Sequence, residues 1–213
     1  MDIILQITIL IFSVVIHEVS HGYAAYFLGD PTAKYAGRLS FNPLKHLDPW
    51  GSVIIPLLLI VSNAGVIFGW AKPVPYNPYN LRSQKYGSAI VGAAGPLSNL
   101  ALALIAGVLM RTFLVLGIQD GFFLQILATV ILINILLFVF NLLPIPPLDG
   151  SKLLFAVLPV SEHTKMVLDQ YGFVILLAFL FLFLDVLRAI IFFVLQYFTQ
   201  FVVGIGLMDF VSF

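Results

Sequence analysis

Long apolar segments constrain the fold of this chain more than any other feature of its sequence. Residues 3–28, 87–116, 122–143 and 171–208 each hold enough apolar residues in succession to cross a hydrocarbon core of roughly 30 Å. Hydrophobic residues make up 61% of the chain and charged residues 9%, whereas soluble domains carry about a quarter charged residues. The sequence therefore predicts an all-α integral membrane protein, built as a polytopic helical bundle.

Two segments are predicted to depart from simple spans. Residues 51–68 are apolar, but Pro56 and the break around Asn63 leave too little uninterrupted helix for a crossing. We expect a re-entrant or in-plane hairpin there, bent near one of these two residues. Three prolines within residues 144–150 predict a broken helix.

The expected organisation has two parts. Residues 1–160 form a core with helices near 3–28, 87–116, 122–143 and 151–159, and residues 161–213 form a C-terminal transmembrane or interfacial helical segment. The apolar run within that segment exceeds one span and carries Asp185 and Arg188 at a spacing that places them side by side on a helix. It is either one span with a paired charge inside the bilayer or two helical pieces.

The charge balance and the absence of cysteine exclude several classes of protein and site. Ten Lys and Arg residues balance ten Asp and Glu residues, so nothing indicates a nucleic-acid partner. A chain without cysteine has no disulfide framework and no thiolate metal site. A metal ion would therefore need nitrogen and oxygen ligands.

The first apolar segment contains the motif His17-Glu18-Val19-Ser20-His21. Histidines four residues apart share one helix face and can bind one metal ion, and the adjacent glutamate can reach a metal-bound water. Ionisable residues inside a span are costly and mark functional sites by default, although hydrogen bonds to neighbouring helices are the alternative explanation. Because catalytic zinc sites have three protein ligands, we expect a third from Asp149, which follows the proline-rich break.

Together with two distant motifs, these residues resemble the site-2 proteases, which are intramembrane zinc metalloproteases. The motifs are Gly95-Pro96-Leu97-Ser98-Asn99 and the stretch from Asn141 through Pro144-Ile145-Pro146-Pro147-Leu148-Asp149-Gly150. The resemblance implies one Zn²⁺ on His17, His21 and Asp149, with Glu18 as general base and Asn141 positioning substrate or stabilising the oxyanion. The sequence departs from the family pattern in showing no inserted peptide-binding domain and no C-terminal nucleotide-sensing domain, so we expect a minimal form of the family.

Two roles are open for each of Gly95 and Asn99. Asn99 either donates a hydrogen bond to the oxyanion or bonds to neighbouring helices. Gly95 either contributes to the substrate site or only allows two helices to approach closely, and the packing explanation is favoured for this residue.

His17 and Asp149 are far apart in the sequence, and the requirement that they meet constrains the membrane topology. Helices that carry His17 and Asp149 to one ion must cross the membrane in the same direction, so an odd number of crossings must separate them. The segment with Gly95 supplies one, which requires residues 51–68 to enter and leave on one side. Basic residues flank that segment, namely Lys34, Arg38 and Lys45 before it and Lys72, Arg82 and Lys85 after it. By the positive-inside rule both loops are cytoplasmic, which places the expected zinc site nearer the cytoplasm. The expected location is the plasma membrane of a prokaryotic cell.

The predicted function is hydrolysis of peptide bonds in or near the transmembrane segments of membrane-protein substrates, by a zinc-activated water with Glu18 as base. The predicted partners are these substrates and the lipid bilayer, and a homo-oligomer or a regulatory membrane partner stays open. A transporter for a metal ion or small solute is the alternative, because it would also place His and Asp residues beside broken helices. A catalytically silent scaffold is the third class, and it would need none of these residues.

Overall fold

The computed structural model describes residues 3–62, 69–118, 120–158 and 160–211. Within these ranges the regular structure is helical and no residue lies in a strand. The α-helices are α1 (Ile3–Phe27), α2 (Thr32–Tyr35), α3 (Ile55–Val61), α4 (Gly87–Val115), α5 (Gly121–Asn141), α6 (Asp149–Val157), α7 (Glu162–Phe198) and α8 (Leu207–Val211). The described residues also form 3₁₀-helices at Pro43–Lys45 and Pro78–Asn80 and π-helices at Pro49–Ile54 and Thr199–Val203.

Four of the described helices are long and apolar enough to cross a membrane. They are α1, α4, α5 and α7 with its π-helical continuation Thr199–Val203. Local sequence explains two of their ends. Gly29, two residues after the last residue of α1, takes a positive φ of 105°, and Asp120 caps α5 by accepting hydrogen bonds from the N–H groups of Phe122 and Phe123. The all-α polytopic fold is confirmed.

Helix α4 lies between α1 and α5 and forms the centre of the bundle. Apolar residues of α4, α5 and α7 share one buried cluster, which includes Met110, Ile131 and Leu187. Gly107 lets α7 approach closely, because a Cβ atom there would lie 3.1 Å from the Phe198 ring. The core is therefore formed by packed helices, with a small residue where α4 meets the end of α7.

The two ends of the segment predicted as a hairpin lie side by side. The Trp70 N–H donates to the Gly51 carbonyl at 3.1 Å, and the Ser52 hydroxyl donates to the Trp70 carbonyl at 2.9 Å. The chain therefore leaves this segment where it entered, as the hairpin requires. The backbone is helical through Pro56, where the π-helix Pro49–Ile54 passes into α3, so the proline does not end the helix. The alternative position of the bend, at Asn63, lies outside the described residues.

The proline-rich break separates α5 from α6 as predicted, with α6 beginning at Asp149 rather than at residue 151. Gly150 is required at this fold-back, because a Cβ atom there would overlap the carbonyl oxygens of Leu142 and Leu143. Helix α7 consists of two helical pieces that meet at Phe183, whose φ of −124° and ψ of 21° are not helical. The C-terminal segment thus combines a kinked long helix, a π-helical turn and the short α8.

Candidate metal centre

The three metal ligands predicted from the sequence, His17, His21 and Asp149, are buried, and their side chains lie close together in the bundle. Helix α1 places His17 and His21 one turn apart on its buried face, and α6 contributes Asp149 as its first residue. The two Nε2 atoms are 3.0 Å apart, and each lies 3.1 Å from Oδ2 of Asp149. This is the one cluster of three or more His, Asp or Glu ligand atoms among the described residues.

Hydrogen bonds on the far side of each ring assign the histidine tautomers. Nδ1 of His21 lies 2.6 Å from the Val91 carbonyl oxygen, and Nδ1 of His17 lies 2.6 Å from Oδ1 of Asn99. Both partners are acceptors, so each Nδ1 carries the proton and donates it. In the neutral rings, each Nε2 therefore presents a lone pair to the centre.

The orientation of the Asn99 amide is itself fixed by a second asparagine. The Asn134 side-chain NH₂ donates to the Val130 carbonyl at 2.8 Å and to the Ser13 hydroxyl at 3.0 Å, which turns its oxygen toward Asn99. The Asn99 NH₂ donates to that oxygen at 2.8 Å. The Asn99 oxygen is left to accept from His17, so the amide chain from α5 through α4 determines the tautomer of a histidine on α1.

This donor set fits a zinc ion. Two imidazole nitrogens and a carboxylate oxygen converge with their lone pairs toward one point, an arrangement that is repulsive without a cation between them. Tetrahedral zinc with bonds of about 2.0–2.1 Å separates its ligand atoms by about 3.3 Å, close to the distances of 3.0–3.1 Å in the structure. Hydrogen bonds from the outer ring nitrogens to acceptors are also typical of metal-bound histidines.

The second carboxylate oxygen of Asp149 is held by a lysine that the sequence patterns did not single out. Lys152 Nζ lies 2.9 Å from Oδ1 of Asp149 and 5.6 Å from the centre of the Tyr76 ring. One oxygen of Asp149 thus faces the histidines and the other faces Lys152. The spacing of three residues on one helix was the available signal for this contact.

Glu18 lies beside the centre and is held by the segment that returns from the hairpin. Its Oε2 accepts a hydrogen bond from the Val74 N–H at 2.9 Å. Arg38 secures the same segment by donating to the carbonyls of Lys72 and Pro73 at 2.5 and 3.3 Å. The carboxylate predicted as general base is therefore positioned by backbone outside its own helix.

A cavity of about 630 Å³ opens onto the centre. Its wall is mostly apolar, with residues 69–71, 73, 74 and 76 forming one side, and its polar lining residues include His17, Glu18, His21, Asn141, Asp149 and Lys152. This size and composition are typical of a site that accepts an apolar ligand and orients it with a few polar groups.

The remaining predicted residues occupy different positions. Asn141 lies on the cavity wall, where its NH₂ donates to the Leu137 carbonyl at 2.9 Å. Asn99 is fully buried behind the histidines, away from the cavity wall. Gly95 packs against both imidazole rings, because a Cβ atom there would lie 2.5 Å from Cε1 of His21 and 2.6 Å from Cε1 of His17. These placements favour the packing explanation for both Asn99 and Gly95.

Besides Lys152, sequence reasoning missed Asn134 and Ser13, which support the histidines from behind. Both are polar side chains within apolar spans, and Ser13 precedes His17 by one helical turn. Polarity at membrane depth was the signal that could have found them. Their pairing across helices depends on tertiary packing, which one sequence does not display.

Comparisons with known proteins agree with this geometry. Residues 117–181, which include Asn141 and Asp149, match the model of peptidase family M50. A Bacillus subtilis relative named "Putative zinc metalloprotease YwhC" is 40% identical over 79% of this chain and 76% of its own length. Two proteins named Rip2, from Mycolicibacterium smegmatis and Mycobacterium tuberculosis, are 33% and 29% identical, with 63% and 62% of their own lengths covered.

No solved structure matches the chain. The family match covers the part of the chain that supplies Asp149, and the alignment with the Bacillus protein extends over more than three quarters of the chain. The chain belongs to peptidase family M50, the site-2 protease family, and is a metalloprotease of the membrane.

Proposed function

We propose that this protein hydrolyses peptide bonds in or near transmembrane segments of other membrane proteins, with one zinc ion held by His17, His21 and Asp149. The observation that carries the proposal is the convergence of three lone-pair atoms on a cavity that also exposes Glu18. A bound zinc ion supplies a Lewis acid and an acidified water at this position. The zinc metalloprotease names of the relatives support the same chemistry.

Glu18 moves the protons in this proposal. Its carboxylate takes the proton of the attacking water and then delivers it to the amine that leaves when the peptide bond breaks. The Val74 N–H, which donates to Oε2, keeps the carboxylate at the cavity wall, and the proposal assigns the proton transfers to Oε1. The segment around Val74 thus positions the base and excludes bulk water from one side of the site.

Asn141 is the residue best placed to stabilise the oxyanion. A side-chain amide has two N–H bonds, and one of them donates to the Leu137 carbonyl. The other is available to a developing negative charge in the cavity. Asn99 has no such role in the proposal, because it holds the His17 ring from behind.

The substrate has to present an extended peptide bond to the cavity. A peptide bond within a helix is shielded by its own hydrogen bonds, so a transmembrane substrate must unwind locally before cleavage. The mostly apolar wall suits side chains from such a segment. With the basic loops on the cytoplasmic side of a prokaryotic plasma membrane, cleavage takes place nearer the cytoplasm.

Replacing Glu18 with Gln separates the protease from a transporter or a scaffold. In detergent, cleavage of a fluorescent transmembrane peptide should fall by about 10²–10⁴-fold, while one zinc per chain is retained, because only the proton transfer is lost. The sequence provides a matched control in Glu162, its one other glutamate, which is exposed at the start of α7. Glu162→Gln should cleave normally, and an active Glu18→Gln protein would refute the protease mechanism.

A further inference from the structure

Helix α7 carries an ion pair on its outer surface at the level of the bundle core. Nη1 of Arg188 lies 3.3 Å from Oδ1 of Asp185, and the two side chains are 69% and 96% exposed. Between them on the opposite face, Leu187 is buried in the apolar cluster shared with α4 and α5. The pair therefore faces outward from a turn of helix whose inner side is part of the core.

Contacts on either side place this turn inside the transmembrane region. Gly172 packs against Pro146 near the metal centre, where a Cβ atom would lie 2.9 Å from the Pro146 backbone. Phe198, toward the other end, packs against Gly107 of α4. Asp185 is 13 residues from each of these contacts, so the pair lies midway between two points at which α7 is anchored to the bundle.

The surroundings of the pair are those of a lipid-facing surface. Phe181 and Phe192, which share its helix face, are 90% and 57% exposed, and the turns between them are otherwise apolar. Among the described residues, the Arg188 guanidinium has one hydrogen bond, to Asp185, although this group has five N–H donors. Charged groups that face hydrocarbon are costly, and in membrane proteins they are usually turned toward protein or water.

We propose that a second copy of this chain covers this face, with Arg188 of each copy bound to Asp185 of the other. Two copies in one membrane have the same orientation, so a two-fold axis along the membrane normal brings identical positions to equal height. Asp185 and Arg188 are separated by about 4.5 Å along the helix axis, which a long arginine side chain spans. Each copy contributes one anion and one cation, so the contact is self-complementary and has no net charge.

Ala189 permits the close approach that this contact needs. It is exposed and adjacent to both charged residues, and small residues at helix crossings allow backbones to come together in membranes. The interface is thus a small-residue crossing flanked by two reciprocal ion pairs. It uses none of the residues of the metal centre.

Cysteine crosslinking of the full chain tests this interface directly, because the sequence has no cysteine. Ala189→Cys in native membranes should form a disulfide-linked dimer on mild oxidation. Ile105→Cys is the matched control, since Ile105 is 60% exposed on α4 and faces outward from the same bundle. A crosslink at position 189 no stronger than that at position 105 would overturn the proposal, as would a crosslink to a different protein.

Charge variants show whether the ion pairs hold the copies together. Adding Asp185→Ala or Arg188→Ala to the Ala189→Cys chain should reduce dimer crosslinking at least fivefold. Coexpression of the two variants with tags of different size should restore the mixed dimer, because one reciprocal pair remains in it. Removing the Glu162–Lys165 pair, which has the same spacing on the same helix, should change nothing. Unchanged crosslinking in the single variants, or no recovery in the mixed dimer, would refute the proposal even if either variant alone folds poorly.

Discussion

Hydrogen bonds to the outer nitrogen of each histidine ring fix which nitrogen carries the proton. Val91 and Asn99 each accept the Nδ1 proton of one ring, and this leaves the Nε2 lone pairs pointing at Asp149. Residue identity at Asn99 therefore matters through hydrogen-bond direction rather than through contact with a substrate. An aliphatic residue of similar size would leave the His17 proton without an acceptor.

Asn99→Ala should weaken zinc binding by about 10–100-fold, the usual cost of losing the outer partner of a metal-bound histidine. The affinity is measured by competition with a chelator in detergent. Asn141→Ala is the matched control, because Asn141 lies on the cavity wall and donates to its own helix. Equal zinc affinities for the two variants would contradict the assigned tautomer of His17.

The sequence predicted the residues that face the centre better than those that support them. His17, Glu18 and His21 follow from spacing on one helix, and Asp149 follows from its place after a proline-rich break. Asn134 reaches Asn99 from a different helix, 35 positions along the chain, so no local pattern reveals the pair. Packing between helices supplies that information.

At the scale of elements, Asp30 ties the end of α1 to the loop that precedes α4. It is fully buried and accepts hydrogen bonds from Thr32, from the Asn77 N–H at 2.6 Å and from the Asn80 side chain at 2.9 Å. Burial alone would raise the pKa of this carboxyl, but the hydrogen bonds outweigh burial and lower it. The ionised form is therefore the one that stabilises the junction.

This lowered pKa predicts the direction of the pH dependence. Because the folded-state pKa lies below the unfolded value of about 3.9, the stabilisation is complete above that pH and is lost as the pH falls through the folded-state pKa. Asp30→Asn should lower the free energy of unfolding by about 1–3 kcal/mol at pH 7, and the difference from wild type should shrink in acid.

Thermal unfolding in detergent between pH 3 and pH 7 measures this difference. Asp120→Asn is the control and should be neutral, because asparagine caps a helix as well as aspartate does. A difference between wild type and Asp30→Asn that stays constant down to pH 3 would contradict the role of the ionised carboxylate.

The hairpin determines on which side of the membrane the flanking loops lie. Tyr35 and Tyr79 are 83% and 85% exposed on the two sides of it, and Ile118 is exposed in the turn between α4 and α5. Single cysteines at positions 35 and 79 should react with a membrane-impermeant maleimide from the cytoplasmic face, and a cysteine at position 118 should react from the opposite face. Labelling of positions 35 and 79 from opposite faces would contradict this topology.

Most elements follow from hydrophobic patterning, and the exceptions have local causes. The predicted limits of α1, α4 and α5 agree with the structure to within two residues. Pro56 does not end the helical backbone, because the π-helix Pro49–Ile54 passes directly into α3 just before it. No proline or glycine lies at the kink at Phe183, so the sequence contains no local signal for it.

At the scale of the whole molecule, the metal centre depends on the parity of the crossings. Helix α1 and the start of α6 supply the three proposed ligand atoms, and α4 with α5 returns the chain to the side from which α6 begins. If residues 51–68 crossed the membrane fully instead, Asp149 would lie on the opposite side of a core roughly 30 Å thick. The meeting of these three side chains therefore also supports a topology in which residues 51–68 do not cross the membrane.

Zinc X-ray absorption on the purified chain identifies the ligands of the metal ion. We predict one zinc per chain with two imidazole ligands and oxygen ligands at about 2.0–2.1 Å, in a four-coordinate site. Asp149→Ala should lose the ion or change its oxygen shell. A chain that binds no zinc, or a zinc spectrum without two imidazoles, would contradict the assignment of His17, His21 and Asp149 as its ligands.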